Sequence, residues 1–280
     1  MNPLSPPARL DAARLVRASG SSFVPAFRLL RRERRQDLEI FYAFCRWVDD
    51  LADAGDHPQT VRYEALEAWR QGLRDPQLTG LPDNLQELIR RRHLSIPLLL
   101  ELLDGTATDL AAPVRMATRA DLDLYCHRVA GTVGQLCLPI FGADAIRAAP
   151  YAETLGRALQ YTNILRDTAS DAQRNRLYYP LDELAAHGLT AETFATRENE
   201  RQAYLQHFAG RTADLYDKAA KLTPPEDRPT LRPARVMAAI YGCLLGKMRK
   251  DGLRVTERRY RLTAWEKLRA LLRAARGAGQ

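Results

Sequence analysis

The sequence predicts an all-α fold, and three observations carry that expectation. Apolar residues recur at helical spacing almost throughout the 280 residues, and no convincing run alternates as a half-buried strand would. No low-complexity linker and no repeat of roughly 20–50 residues divides the chain, so one domain over 1–280 is the simplest organisation. Composition is globular, with 46% hydrophobic and 27% charged residues, and a chain of this length buries most of the surface its unfolded form exposes.

The periodicity places helices, in order, over 8–18, 22–30, 33–54, 59–73, 81–93, 97–104, 119–141, 144–170, 180–186, 190–195, 198–222, 232–251 and 263–275. Punctuation supports several ends. Pro58 follows the acidic cluster Asp53–Asp56 and separates the third helix from the fourth. Gly142 follows Phe141 and closes the seventh. Pro224-Pro225 stops the helix ending near Leu222, because proline lacks the amide proton and clashes with the preceding turn.

Other features narrow the function. Cys45, Cys126, Cys137 and Cys243 are scattered, form no C-x-x-C, and are expected to be reduced, buried thiols of a cytosolic protein. The first twenty residues lack an apolar stretch and include Asp11, so no secretory signal is expected. The longest apolar runs, such as Ile96–Leu100, fall far short of the roughly 18 residues of a membrane span. That predicts a cytoplasmic chain, peripheral at most to the inner face of a membrane. The net charge of +8, dominated by Arg, favours an anionic partner: nucleic acid, acidic lipid or a phosphorylated substrate. The basic run Arg31–Arg35 comes without zinc spacing, an aromatic RNA-binding motif or a recognition-helix signature. It reads as a solvated helix start that could touch anionic lipid, and no nucleic-acid partner is expected.

Two constellations carry chemistry. In Phe41–Asp53, Asp49 and Asp53 are four residues apart, which sets both carboxylates on one helical face about a turn apart. The surrounding stretch is apolar, an expensive place for carboxylates unless a cation joins them. In Gln160–Asp171, Asp167 and Asp171 repeat the spacing, and Asn163 and Gln160 continue the polar stripe. The pairs lie 118 residues apart (Asp49 to Asp167) and could aim four carboxylates into one cavity. Such oxygen-rich sites suit Mg²⁺, with Mn²⁺ as a substitute, whereas zinc would want His or Cys. A lone D-x-x-x-D is usually a solvated helix face; the repetition in two apolar settings favours metal.

Basic residues accompany both motifs. Arg46 precedes Asp49 by three residues, Arg166 adjoins Asp167, and Arg174 and Arg176 lie in the loop before Tyr178. Guanidinium groups bind phosphate oxygens in bidentate fashion, although Arg174 reads as a surface charge. In Tyr125–Gly134, Gly131 and Gly134 stand mid-helix at a cost of about 1 kcal/mol each relative to alanine, which close packing or room for a ligand could offset. Tyr125 could be a packed aromatic or a hydroxyl directed at a reacting centre. His127 reads as a helix-face or core residue rather than a ligand. The stretch 262–276 mixes Trp265, Leu268, Leu271 and Leu272 with Lys267, Arg269 and Arg273, as a packed terminal helix or a surface-lying amphipathic one would.

The ordered set Ser22-Phe23, Tyr42–Asp53, Tyr125–Gly134, Gln160–Asp171 and Arg176–Pro180 resembles the squalene/phytoene synthase family, from about residue 15 to about 250. The resemblance is strongest to its presqualene diphosphate branch in hopanoid biosynthesis. It implies an isoprenoid-synthase helical bundle around a deep, central apolar cavity. It implies that Asp49, Asp53, Asp167 and Asp171 coordinate Mg²⁺ on prenyl diphosphates, with Asn163 and Gln160 extending the seam. Arg46, Arg166, Arg176, Tyr178 and Ser22 would hold diphosphate oxygens, and Phe23, Tyr42, Tyr125 and Tyr241 would line the reaction chamber. The implied reaction joins two farnesyl diphosphates head to head, without NADPH. Phytoene synthesis from geranylgeranyl diphosphate and NADPH-dependent squalene synthesis are the alternatives. A non-catalytic scaffold on the same fold would be expected to lose the aspartates, which are all present. Prenyl diphosphates, downstream isoprenoid enzymes and a membrane surface are the expected partners.

Overall fold

The computed structural model describes residues 4–18, 24–111 and 113–276 and is mostly helical. Two short helices, α1 (Ala12–Ala18) and the single turn α2 (Val24–Phe27), lead into α3 (Arg32–Asp53). Then come α4 (Gln59–Arg74), α5 (Asp83–Arg92) and α6 (Ile96–Leu110). The next run is α7 (Arg119–Cys126), a π turn (His127–Gly131) and α8 (Thr132–Phe141). The long α9 (Ala149–Gln173) is followed by α10 (Leu181–Ala186), α11 (Glu198–Lys221), α12 (Arg232–Lys250) and α13 (Ala264–Arg276).

Four expectations change. The helix expected over 97–104 continues to Leu110, because Gly105 lets α6 press on the π turn: a Cβ there would meet Val129 at 2.6 Å. The helix expected over 119–141 contains the π turn. The segment 190–195 is a turn, in which Thr190 and Thr193 side chains accept hydrogen bonds from each other's backbone N–H. Finally, β1 (Val114–Arg115) pairs in parallel with β2 (Arg176–Leu177), Val114 opposite Arg176. Strands of two residues have no periodicity to detect.

Two packed regions support the site. In one, Phe41, Phe44, Leu66 and Trp69 fill the space between α3 and α4, with the Phe44 and Trp69 rings 5.2 Å apart. Asp37 is fully buried there, and it is neutralised by Arg92 at 2.7 Å and by Arg91. In the other, Tyr161 stacks on Phe208 at 4.9 Å between α9 and α11. A chain of ion pairs, Arg157–Asp123–Arg119–Glu183–Arg211, ties α9, α7, α10 and α11 together.

The glycines of the third sequence segment mark a close crossing. A Cβ on Gly134 would meet the Ala152 carbonyl oxygen at 2.6 Å, and one on Gly156 would meet that of Ala130 at 2.4 Å. Backbone therefore packs on backbone where the π turn and α8 cross α9, and Gly142 (φ 83°) closes α8 as expected. Among the described residues, no helix is long and apolar enough to cross a membrane.

Candidate active site

A cavity of about 680 Å³ opens between α3, α8, α9 and α12. On α9 its wall runs from Arg166 back to Tyr151, fifteen residues, or about 22 Å at the helical rise. On α3 the wall runs from Asp49 to Leu38, and on the π turn and α8 from Val129 to Phe141. Between these ends the lining is apolar, with Phe41, Leu102, Val133, Leu155, Leu159, Met237 and Ile240 among its residues. The far end holds Phe141, Tyr151 and Leu231. It is braced by Arg34, which donates to the Pro139 and Ile140 carbonyls at 3.1 and 2.8 Å. The near end is polar and gathers Arg46, Asp49, Gln160, Asn163, Arg166, Arg259 and Lys267.

Helix geometry places the first motif as its spacing required. Asp49 opens onto the cavity. Burial among the walls, followed by repulsion from Asp109, pushes its carboxyl up to about 7. Asp53, one turn on, turns to the β2 loop, where Arg176 meets it at 2.9 Å and Arg174 at 3.7 Å. Arg174 is half exposed and outside the cavity lining, in keeping with the surface charge expected of it. Arg46 lines the cavity but pairs with Asp50 at 2.7 Å rather than with Asp49.

The second motif is also partnered. Arg166 holds Asp167 through two nitrogens, at 2.9 and 2.5 Å, and Arg259 adds a third bond at 2.7 Å. The hydroxyl of Tyr241, in the cavity wall, hydrogen-bonds Arg166. Among the described residues Asp171 has no comparable ion pair, and burial together with repulsion from Asp167 pushes its carboxyl up to about 7. Asn163 donates to Gln160 at 3.3 Å, while its Oδ1 is buried without a partner.

The remaining expected residues divide. Tyr42 lines the cavity and meets Phe27 edge to face at 5.7 Å. Tyr125 and Tyr178 stand beside the cavity wall instead of in it. Their rings stack at 4.9 Å and both hydroxyls donate to Asp109, at 2.9 and 2.6 Å. Ser22 and Phe23 lie outside the described residues. His127 bridges Glu101 and Glu153, at 2.8 and 2.9 Å, as a helix-face residue does. The four cysteines are free, two buried and two partly buried. Asp109 escaped the sequence reading, although Leu102, Gly105, Thr106 and Asp109 fall at i, i+3, i+4 and i+7 of one stripe. A carboxylate on an otherwise buried stripe was the available signal.

Among the described residues, no three His, Cys, Asp or Glu side chains converge closely enough to hold an ion on their own. Magnesium does not require such a cage, since it commonly takes one or two carboxylates and fills its shell with water and substrate phosphate. The donor set fits that habit: carboxylates short of counter-charge at Asp49 and Asp171 and an orphaned amide oxygen at Asn163, while Cys45, which also lines the cavity, is held as the neutral thiol by burial and by Asp49.

The sequence profile of the squalene/phytoene synthase family matches residues 16–266. A presqualene diphosphate synthase of Zymomonas mobilis is 36% identical over 239 residues, spanning 84% of this chain and 82% of that protein. A phytoene synthase of Thermus thermophilus is 37% identical over 267 residues, spanning 92% of this chain and 89% of that one. The crystal structure of a dehydrosqualene synthase superposes with a TM-score of 0.83 at 23% identity, covering 96% of this chain and 95% of that one. With aspartate motifs on α3 and α9 and Asp49 at the polar end of an apolar helical cavity, the chain belongs to the squalene/phytoene synthase family and is an enzyme of the prenyltransferase type.

Proposed function

We propose that this chain, as one synthase domain, joins two farnesyl diphosphates head to head, releasing one diphosphate and forming presqualene diphosphate. The observation that carries the reading is the cavity itself: apolar over most of a span of about 22 Å along α9, with Asp49 and several arginines gathered at one end. An extended chain advances about 1.2 Å per bond, as extended backbone does. The eleven main-chain bonds of a farnesyl group thus span about 13 Å, and the fifteen of a geranylgeranyl group about 18 Å, on that spacing. Either chain fits that span with its diphosphate head at the polar end, and the resemblance of the motif segments to the presqualene diphosphate branch favours the shorter one.

Asp49, Asp53, Asp167 and Asp171, with Asn163 and Gln160, would hold Mg²⁺ or Mn²⁺, and the metal would neutralise diphosphate charge and ease its departure. Arg46, Arg166 and Arg176 now rest on carboxylates and would exchange them for diphosphate oxygens. The C2–C3 double bond of the acceptor attacks C1 of the donor as the C1–O bond breaks, and loss of one proton closes the cyclopropane. Apolar walls keep water from the allylic cation, and the aromatic faces of Phe27 and Tyr42 offer it electron density. No NADPH step is included.

The product is amphiphilic, and α13 exposes Trp265 (74%) and Leu268 (43%) beside Lys267 and Arg269. That supports peripheral contact with the cytoplasmic face of a membrane, where downstream isoprenoid enzymes would take the product. The test is incubation of purified protein with farnesyl diphosphate and Mg²⁺, with and without NADPH, followed by mass analysis. Presqualene diphosphate in both is the expected result. Squalene with NADPH, or product from geranylgeranyl diphosphate alone, would replace the reading. Asp49→Ala and Asp167→Ala should each lower turnover by at least about a hundredfold, the scale of losing a principal electrostatic contact.

A further inference from the structure

The π turn has a polar back that the reaction as derived above does not use. Its front faces the cavity, where Val129 and Ala130 form part of the wall. Behind it His127, the first residue of the turn, lies between carboxylates of two different helices. Its Nε2 meets Glu101 of α6 at 2.8 Å and its Nδ1 meets Glu153 of α9 at 2.9 Å. Glu153 also accepts from the Gln135 side chain of α8 at 3.2 Å. The same carboxylate lies against the last residue of the turn: a Cβ on Gly131 would stand 2.1 Å from Glu153 Oε2. Glu153 thus touches both ends of the turn, and glycine at 131 leaves room for this carboxylate. The backbone joins at the same point, since the Thr132 N–H donates to the His127 carbonyl, the i to i+5 bond of a π turn.

An ionised carboxylate only accepts, and a neutral imidazole has one N–H to give. Carboxylates at bonding distance from both ring nitrogens therefore call for the imidazolium. Partial burial works against that charge, but Glu153 and then Glu101 outweigh it and hold the proton on His127 above the ordinary histidine range. The other charges around it are committed elsewhere. Asp104 of α6 pairs with Arg70, and Asp123 of α7 pairs with Arg157 of α9 and with Arg119. Arg128 adjoins His127 in the turn, and α8 offers only the neutral Gln135. Loss of the proton turns a lone pair towards one carboxylate and breaks that bond. The clamp is complete below about pH 6.5, where unfolded histidine titrates, and is lost as pH rises through the higher folded value.

We propose that His127 is a positioning residue for the prenyl chain: carrying its proton, it pins the π turn between α6 and α9 and so holds the Val129–Ala130 stretch of the cavity wall, which loosens when the proton leaves. The clamp stands on the contacts around His127 alone. Its effect on the substrate rests on the prenyl diphosphate condensation argued above.

Two measurements test it. Proton NMR of the histidine rings in the metal-free chain, with His127 identified by its absence from His127→Arg or His127→Gln, should show it titrating above about 6.5, and Glu153→Gln should lower that value. Titration at or below about 6.5 overturns the clamp whatever the substrate. Steady-state kinetics are then followed from about pH 6 to about pH 9 at saturating Mg²⁺, with farnesyl diphosphate or, if only that turns over, geranylgeranyl diphosphate. In the wild type KM should rise about threefold or more with kcat within about twofold, the mark of binding lost from ground and transition states alike. His127→Arg keeps the charge without titrating and should hold KM level, whereas His127→Gln should show the raised KM at every pH. Asp49 and Asp171 titrate in all three proteins, so the difference between variants isolates His127. Parallel KM profiles in the three overturn the positioning role, as does a fall in kcat at unchanged KM. If His127→Gln does not fold, Glu153→Gln takes its place in the kinetics. A protein inactive on both substrates removes the condensation and the effect on substrate with it, while the ring titration still decides the clamp; raised titration with parallel KM profiles removes the positioning role alone.

Discussion

Raising the pH of the metal-free protein from 5 to 8 should destabilise it, and Mg²⁺ with inorganic diphosphate should reverse the loss. Asp49 and Asp171 ionise near 3.8 when unfolded, but burial and neighbouring carboxylates push both up to about 7 in the folded chain. Between those values the native state binds protons that the unfolded state has released, so this contribution is full below about pH 4 and lost as pH rises through 7. From pH 5 to 7 the loss is on the order of 3 kcal/mol for Asp171, at about 1.4 per pH unit. For Asp49, whose carboxylate opens onto the cavity, about half of that is reasonable after solvent screening. At about 2 °C per kcal/mol for a chain of this size, the melting temperature should fall by roughly 8 °C. Differential scanning fluorimetry in EDTA reads it directly. Asp171→Asn, which removes the charge, should flatten most of the slope. Mg²⁺ with diphosphate should stabilise more at pH 8 than at pH 5, because it then relieves a larger repulsion. A melting temperature constant within about 2 °C over this range, or an equal gain at both pH values, would refute the reasoning.

Three further predictions follow from the packing. Tyr151→Ala removes the far end of the cavity and should raise the geranylgeranyl-to-farnesyl product ratio by about tenfold, a shift of about 1.4 kcal/mol; paired-substrate assays with mass detection measure it. Gly156→Ala drives a methyl group to 2.4 Å from the Ala130 carbonyl oxygen and should cost at least about 2 kcal/mol in urea unfolding. Asp37→Ala leaves Arg92, mostly buried, with only the exposed Glu33 carboxylate and should cost about 2 kcal/mol by the same measurement.

The elements legible in sequence were those with enough turns to show a period. Both aspartate motifs fell on α3 and α9 as their spacing required, since i,i+4 geometry is local. What stayed hidden was non-local or too short. Arg176 meets Asp53 across 123 residues, and it is set there by a two-residue strand pair that no pattern announces. Asp109 was missed because Gly105 and Thr106 looked like the end of a helix; only the fold shows that Gly105 is small to fit against Val129. Tyr125 and Tyr178 were expected at the reaction chamber and the diphosphate, and their bonds to Asp109 were not legible because that carboxylate lay beyond the expected helix.

The glycine crossing of α8 and α9 has a consequence for how such a cavity can vary. Along that seam main chain rests on main chain, leaving no side-chain layer to trim or enlarge. The spacing of the two helices is consequently fixed by main-chain contact, and only the side chains that face the cavity, such as Val133, Leu155 and Leu159, can alter its width there. A relative that accommodates a longer or bulkier chain has to make its room through such side chains, through α3, α12 or the residues at the closed end. The seam acts as a fixed jaw for the backbone of this chain.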